Sequence, residues 1–171
     1  MHNTLSNKWK NWIAQIDVTT CKKCRDNHGK IYPIDETVIP PPPLHINCRC
    51  RIELMKVIYA GLATDMGIDG ADWYLKYLGK LPEYYISQKD AKDLGWDSKL
   101  GNLNTVLPNK MIFGGIYKNK NGKLPETTGR IWYECDINYN LGRRNTQRVL
   151  FSNDGLIFVT YDHYKTFIEI E

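Results

Sequence analysis

Apolar residues recur at helical spacing in the middle of the chain. Over residues 70–78 they are separated by three and four positions, which predicts a helix that Asp69 caps and Gly79 ends. The Ser-x-x-Asp sequence beginning at Ser87 is typical of a helix start and predicts a second, shorter helix. Asn102 is of a residue type that caps helices, and it is predicted to cap a third. This part of the chain is therefore predicted to be helical.

After Pro108 the pattern changes to short runs rich in β-branched and aromatic residues. An Asp-Gly pair before Leu156 favours a hairpin with a two-residue loop, which makes the third and fourth of these runs antiparallel neighbours. The predicted strands are Met111 to Tyr117, Arg130 to Asn138, Thr146 to Ser152, Leu156 to Thr160 and a short piece near Thr166 to Ile170. Helices followed by strands predict an α+β domain over residues 68–171, with N-terminal helices packed on an antiparallel sheet.

The beginning of the chain has a different composition. Four of the five cysteines lie between Cys21 and Cys50, in a stretch that also holds four consecutive prolines from Pro40. Because proline disfavours regular helix and central strand, we predict a small, loop-rich module over residues 1–57.

Composition and charge refine this division. The chain has 171 residues, 42% of them hydrophobic, which suits one globular core and a smaller appendage. From Met55 the sequence is apolar and helix-compatible, and we interpret residues 58–67 as a connector. Through Val57 there are 9 Lys or Arg against 5 Asp or Glu, and 14 against 14 afterwards. Any phosphate-binding surface in the second part must therefore be a local cluster.

One constellation in the second part carries possible chemistry. Side chains alternate along the strand from Arg130, so Glu134 and Asp136 share a face that Arg148 on the next strand can share. Arg144 lies in the loop between them, and His163 is the only histidine in the last two thirds of the chain. A base, an acid and fixed cations are what metal-free RNA cleavage needs. By pattern alone, a solvated sheet face with ordinary ion pairs and a surface histidine is the commoner arrangement.

From about Ile68 to Ile170 the sequence resembles barnase and its close relatives, the bacterial extracellular ribonucleases, without an inserted or deleted residue. The resemblance covers more than half of the chain. It is carried by Leu81-Pro82, Tyr85-Ile86, Ala91, Leu94-Gly95-Trp96, Lys99, Gly101-Asn102-Leu103, Gly122-Lys123-Leu124-Pro125, Gly129-Arg130, Trp132, Glu134, Asp136-Ile137-Asn138-Tyr139, Gly142, Arg144-Asn145, Arg148, Leu150, Asp162-His163-Tyr164 and Thr166-Phe167.

The resemblance implies a metal-independent endoribonuclease that cleaves single-stranded RNA to a 2′,3′-cyclic phosphate. It puts Glu134 at the family's general base and His163 at its general acid. Arg144 and Arg148 fall at the phosphate-binding arginines, and Asp136 falls at the carboxylate that braces them. Tyr164 falls at the aromatic residue beside the histidine and is a candidate for substrate binding.

The sequence departs from the family's pattern at three places. Gln88 stands where these enzymes carry an active-site lysine, and Gly115 replaces an aspartate whose loss is expected to affect stability. In the base-recognition loop the guanine-reading glutamate is Asn121 and the arginine is Lys120, with Asn119 beside them as a further substrate-binding candidate. A carboxylate accepts two hydrogen bonds from guanine, whereas an amide offers one acceptor and one donor group. We therefore expect a weakened or changed guanine preference.

The cysteines of the first part have metal-site spacing. Cys21-x-x-Cys24 is followed by His45-x-x-Cys48-x-Cys50, so four thiolates, or three thiolates and the imidazole, can complete a tetrahedron. Zinc, in a structural role, is the best-fitting ion. Two disulfides and free thiols are the alternatives.

Residues 9–52 resemble the C-terminal part of phage minor head, or head-morphogenesis, proteins. The matching residues are Trp9, Trp12, Asp17, Thr20-Cys21, Cys24, Gly29 and the run Pro42-Pro43-Leu44-His45-Ile46-Asn47-Cys48-Arg49-Cys50. This resemblance implies a structural or delivery module in front of a toxic payload.

Together the two resemblances predict an endoribonuclease toxin. The expected partners are RNA, a barstar-like acidic inhibitor and a phage-head-like or secretion assembly. The sequence holds no run of eighteen apolar residues and no secretory signal pattern, so we expect no membrane contact and delivery into the cytoplasm of a target cell. The alternatives are a structural phage-head-associated protein with an inactive ribonuclease-like domain, and a nucleic-acid-binding module without chemistry.

Overall fold

A computed structural model describes residues 4–171 of the protein. Residues 4–58 form β1 (Leu5–Ala14), α1 (Lys22–Asn27), β2 (Ile31–Pro33) and β3 (Cys50–Ile58). A 3-10 helix (Gly67–Asp69), α2 (Ala71–Leu78), β4 (Tyr85–Ser87), α3 (Gln88–Asp93) and α4 (Leu103–Val106) follow. The remaining elements are β5 (Met111–Tyr117), β6 (Trp132–Asp136), β7 (Arg148–Ser152), β8 (Ile157–Thr160) and β9 (Ile168–Ile170).

All of these strands belong to one nine-stranded sheet in the order β2-β1-β3-β9-β8-β7-β6-β5-β4. Neighbouring strands from β5 to β9 are antiparallel, but β4 is parallel to β5 and β3 is parallel to β9. The prediction of an antiparallel sheet for residues 68–171 is therefore correct for β5 to β9 and wrong for the β4–β5 pair, while the parallel β3–β9 pair joins that sheet to the first part of the chain. Parallel neighbours need a long crossover, which helices α3 and α4 supply for β4–β5.

The helices predicted from local pattern are present with small changes at their ends. Ser87 caps α3, its hydroxyl accepting a hydrogen bond from the Asp90 amide at 3.0 Å. Gly79 ends α2 in the left-handed conformation, but Gly70 rather than Asp69 precedes the helix because Asp69 lies in the 3-10 helix. The β7–β8 hairpin is antiparallel as predicted. It has three loop residues instead of two, since Ser152 pairs with Leu156.

The first part of the chain contains more regular structure than predicted. Strands β1 and β3 pair over most of their length, and the proline run lies outside them between β2 and β3. The short helix α1 forms within the cysteine-rich stretch because it precedes the prolines. The segment interpreted as helix-compatible from Met55 extends β3 to Ile58, where it pairs with Ile170 of β9.

Two hydrophobic clusters cover the two faces of the central strands. On one face, α2 and the chain before it pack on Cys135, Val149 and Val159. On the other face, Trp9, Ile31 and Met55 of the first part pack against a set from the second part, comprising Leu124, Trp132, Leu150, Phe158 and Phe167. The rings of Trp9 and Phe158 meet edge to face with centroids 5.9 Å apart. The two parts of the chain therefore share a core as well as a sheet. Across residues 4–171, every helix is too short or too polar to cross a lipid bilayer.

Candidate active site and metal centre

A surface pocket lies at the face of β6, between the loop after β5 and the loop before β9. Its polar and aromatic lining residues are Tyr117, Lys118, Asn119, Lys120, Asn121, Glu134, His163 and Tyr164. The structure therefore brings the predicted base and the predicted acid to one pocket, although 29 positions separate them in the chain.

A β-bulge positions Glu134. The register between β5 and β6 passes from Phe113 opposite Cys135 to Gly115 opposite Glu134, so Gly114 is an extra residue. A Cβ atom at Gly114 would lie 2.7 Å from Cγ of Glu134, so only glycine allows this approach. The Tyr164 hydroxyl donates a hydrogen bond to Oε2 of Glu134. Burial and this bond raise the pKa of Tyr164, which keeps the phenol a donor.

A tight turn positions His163. His163 and Tyr164 have φ values of 58° and 66°, which are uncommon for residues with side chains. The Asp162 carboxylate holds the turn by accepting bonds from the Lys165 and Thr166 amides at 3.1 and 2.9 Å. Burial opposes the charge on Asp162, but these bonds and the Thr166 hydroxyl lower its pKa. The turn thereby exposes the His163 imidazole and packs it against the Tyr164 ring, 4.8 Å between centroids.

The two arginines are bound to one buried carboxylate. Asp136 is 1% exposed and lies opposite Arg148 in the sheet, as the strand alternation predicted. Arg144 donates from Nε to Oδ2 at 2.6 Å and from Nη2 to Oδ1 at 2.5 Å, while Nε of Arg148 lies 3.0 Å from Oδ1. Burial opposes the charge on Arg144, but the bonds to Asp136 raise its pKa.

The two guanidiniums do not line the pocket. Their positive charges offset part of the rise in the pKa of the pocket residue Tyr164 that burial and Glu134 cause. The side chain of Arg144 is 22% exposed, whereas that of Arg148 is 5% exposed. Arg144 can therefore contact an anion directly, and Arg148 adds a fixed positive charge behind it.

The other predicted substrate-binding residues differ in their surroundings. Asn119 is buried and uses its amide inside the loop, accepting from the Leu124 amide and donating to the Leu124 carbonyl oxygen. Lys120 and Asn121 are exposed at the pocket mouth. Gln88 begins α3 and does not line the pocket.

The predicted metal ligands come together around Cys24. Nε2 of His45 lies 3.3 Å from Sγ of both Cys21 and Cys24, and Sγ of Cys24 lies 3.7 Å from Sγ of Cys48. Cys24, Cys48 and Cys50 form a second close group of ligand atoms. A tetrahedron with metal–sulfur bonds of about 2.3 Å has edges of about 3.8 Å, which these separations match.

These cysteines are not joined by disulfide bonds, so the disulfide alternative is not formed. A disulfide would need the two sulfurs at about 2.05 Å. Burial opposes ionisation of Cys48, but backbone hydrogen bonds involving Leu44 and Cys50 bring its pKa to about 6. A thiolate is the form that binds metal.

Sequence reasoning missed three residues that shape the active-site pocket. Tyr117 stacks on Tyr164 at 5.1 Å, and Asp162 holds the histidine turn. Gly114 allows Glu134 its position. The adjacent glycines at 114 and 115 inside a predicted strand were the available signal, since glycine within a strand marks bulges and close approaches.

An α+β fold with a carboxylate and an imidazole lining one open pocket, and with two guanidiniums on a neighbouring buried carboxylate, defines a class of protein equipped for acid–base chemistry on an anion. A family model described as ribonuclease matches residues 74–171, and the chain belongs to this family.

Individual ribonucleases are similar over much of their length. The chain is 41% identical to one from Bacillus pumilus over 128 residues, covering 75% of this chain and 78% of the relative. It is 45% identical to one from Bacillus intermedius over 109 residues, covering 64% and 67%. It is 46% identical to one from Heyndrickxia coagulans over 102 residues, covering 60% and 94%.

A second family model, Phage Mu protein F like protein, matches residues 2–53, at the N-terminal end of this chain. The resemblances to a ribonuclease and to a phage protein are thus confirmed at the level of these two families, and the two matches follow one another along the chain.

Proposed function

We propose that the protein is an endoribonuclease that cleaves single-stranded RNA by transesterification. The observation that carries the proposal is that Glu134 and His163 line one pocket and both contact Tyr164. The family and the ribonuclease relatives support the same class of reaction.

In the proposed step, Glu134 takes the proton of the ribose 2′-hydroxyl, and the 2′-oxygen attacks the adjacent phosphorus. The bond from phosphorus to the 5′-oxygen breaks, and protonated His163 gives its proton to that oxygen. The products are a 2′,3′-cyclic phosphate and a free 5′-hydroxyl. Arg144 and Arg148 supply positive charge where negative charge builds up on the phosphate. Each role is filled by a side chain, so the proposal is metal-independent catalysis.

The test is digestion of a labelled RNA without added divalent cations. The expected products end in cyclic phosphate, and an RNA with 2′-O-methyl groups stays intact. Glu134→Gln and His163→Gln are each expected to lower kcat roughly 10²- to 10⁴-fold, the range for losing an acid or base. Glu83→Gln, an exposed carboxylate away from the pocket, is the matched control. Since the acid must be protonated while the base is ionised, kcat/KM is expected to be bell-shaped in pH.

A wild type that leaves RNA intact would favour the second candidate, a structural phage-head-associated protein with an inactive domain. The Phage Mu protein F like match supports that candidate. Binding of RNA without cleavage, weakened by salt, would instead indicate a nucleic-acid-binding module.

The proposed metal is one structural Zn²⁺ ion in the first part of the chain. The ligands would be Cys24, Cys48 and Cys50 with Cys21 or His45, and the sulfur separations fit a tetrahedral ion. Metal analysis is expected to find one zinc per chain in the wild type and none in Cys24→Ser. A zinc content near zero in a folded wild type would contradict this.

The proposed biological role is that of a toxin acting in a target-cell cytoplasm, delivered by a phage-head-like or secretion assembly. An acidic, barstar-like inhibitor would complement the exposed Lys118 and Lys120 and the partly exposed Arg144. Growth arrest on expressing the wild type, absent with Glu134→Gln, is the expected result.

A further inference from the structure

A second pocket adjoins the candidate active site. It shares Asn121, His163 and Tyr164 with that pocket and extends onto α1, in the first part of the chain. We call it the α1 groove and define it by its charged lining residues, which are Lys22, Arg25, Asp26, Lys123, His163 and Lys165. Four basic side chains and one carboxylate line it, a formal net charge of +3 before His163 is counted.

Among the described residues, three of the four cations of the α1 groove form no ion pair, although the charges of Asp162 and Asp26 partly offset the lowering of the Lys123 pKa by burial. Lys22 pairs with Asp26 at 2.5 Å on the exposed face of α1. Arg25 donates to the backbone carbonyl oxygens of Thr20 and Asp17, which carry no net charge. Nζ of Lys123 donates to the Lys165 carbonyl oxygen at 2.9 Å. Within residues 4–171, no carboxylate oxygen lies within 4.0 Å of the charged nitrogens of Arg25, Lys123 or Lys165.

Close backbone approaches fix the first part of the chain against two loops, one carrying Lys123 and the other carrying His163 and Lys165. The Ile31 amide donates to the Lys123 carbonyl oxygen at 2.8 Å. Gly29 lies so close to the loop that carries His163 that a Cβ atom at Gly29 would be 2.0 Å from the Lys165 carbonyl oxygen. The packing of the shared core therefore fixes the groove, because it holds α1 beside His163.

The chemistry of the proposed reaction determines which side of the cut would lie in the α1 groove. The attacking 2′-hydroxyl belongs to the nucleotide on the 5′ side of the cut, and it must reach Glu134, which lines only the active-site pocket. The leaving 5′-oxygen belongs to the nucleotide on the 3′ side, and it must reach His163, which lines both pockets. A strand that satisfies both atoms continues past His163 into the α1 groove.

We propose that the α1 groove binds the phosphates of the RNA segment on the 3′ side of the cut, so that the phage-protein-like part supplies a substrate subsite. This rests on the proposed ribonuclease function. The proposed subsite also agrees with the uneven charge of the chain. The whole net charge of +4 lies within the first 57 residues, which have 9 basic and 5 acidic residues.

The test uses DNA oligonucleotides with a single ribonucleotide, so that only one bond can be cut. A short substrate has one nucleotide after that bond, a second has four, and a third has the extra nucleotides on the 5′ side. In the full-length wild type, kcat/KM is expected to be higher for the 3′-extended substrate than for the short one. In the double variant Lys22→Ala/Lys165→Ala this ratio is expected to fall about fivefold, the size of losing exposed lysine–phosphate contacts.

The salt dependence provides a second measurement. The ratio of kcat/KM between the 3′-extended and the short substrate is expected to fall as salt is added. A plot of the logarithm of this ratio against the logarithm of the salt concentration is expected to fall with a slope of about 0.7 per phosphate contact, and the slope is expected to be smaller in the double variant. Lys56→Ala/Lys80→Ala removes two exposed lysines elsewhere and is expected to leave the ratio as in the wild type.

The outcomes separate the two proposals. A wild type that cuts none of the substrates overturns the ribonuclease function itself. Cleavage without any gain from 3′ extension, or with a gain that the double variant keeps, overturns the subsite alone. A gain from 5′ extension that the double variant loses would also overturn it, because the groove would then bind the other side of the cut.

Discussion

Replacing Gly114 by alanine is expected to remove most RNA cleavage while leaving the fold nearly intact. The added Cβ atom would lie 2.7 Å from Cγ and 2.9 Å from Oε1 of Glu134, whereas ordinary contacts begin at 3.4 Å. The Glu134 side chain must therefore retreat by about 0.7 Å, and its bond to Tyr164 limits the directions open to it. Misplacement of a reacting group by about 1 Å costs on the order of 10²-fold in rate, or about 2.7 kcal/mol. The backbone at Gly114 is not left-handed, so alanine adds no strain there.

The assay compares kcat on a short chimeric RNA with the free energy of unfolding in urea. Gly114→Ala is expected to lower kcat on the order of 10²-fold and to change stability by less than about 1 kcal/mol. Gly115→Ala is the matched control, because no atom lies within 4 Å of the Cβ position at Gly115. The φ value of Gly115 is +80°, a left-handed conformation that alanine adopts only with strain. That variant is expected to lose roughly 1–2 kcal/mol of stability and to keep most of its kcat. Full kcat in Gly114→Ala would refute the claim that the bulge sets the position of the base.

Three further predictions concern stability. Asp136→Asn leaves the buried Arg148 guanidinium without its counter-charge, and a urea titration is expected to show a loss of roughly 3 kcal/mol; a loss near zero would contradict the ion-pair assignment. Burial lowers the pKa of His28, whose Nδ1 accepts a hydrogen bond from the Ala14 amide. The neutral His28 side chain therefore stabilises the fold above the ordinary histidine pKa of about 6.5, and this stabilisation is lost as the pH falls. The urea midpoint is thus expected to drop between pH 7 and pH 5 more in the wild type than in His28→Asn, and equal drops would refute this. Trp9→Ala is expected to cost about 3–5 kcal/mol in one cooperative transition, whereas two transitions with only one affected would show that the two parts unfold separately.

The helices and the central strands could be predicted because their signals are local. Ser87 caps its helix through an atom three residues away, and β5 has the bounds that its run of apolar residues predicts. The strands of the first part were not predictable in this way. The pairing of Ile58 with Ile170 joins residues 112 positions apart, and a short apolar run such as Met55–Ile58 fits a helix or a strand equally well.

The identity of the candidate site residues came from the sequence, and so did the shared face of Glu134, Asp136 and Arg148, because strand side chains alternate with a fixed period of two. Resemblance to a family added the proposed roles.

Only the tertiary structure decided what surrounds those residues. The meeting of Glu134 with His163, the bulge at Gly114 and the position of α1 beside the histidine depend on contacts between distant segments. A local pattern specifies which face a side chain occupies, but the packing of one shared core determines which loops reach that face.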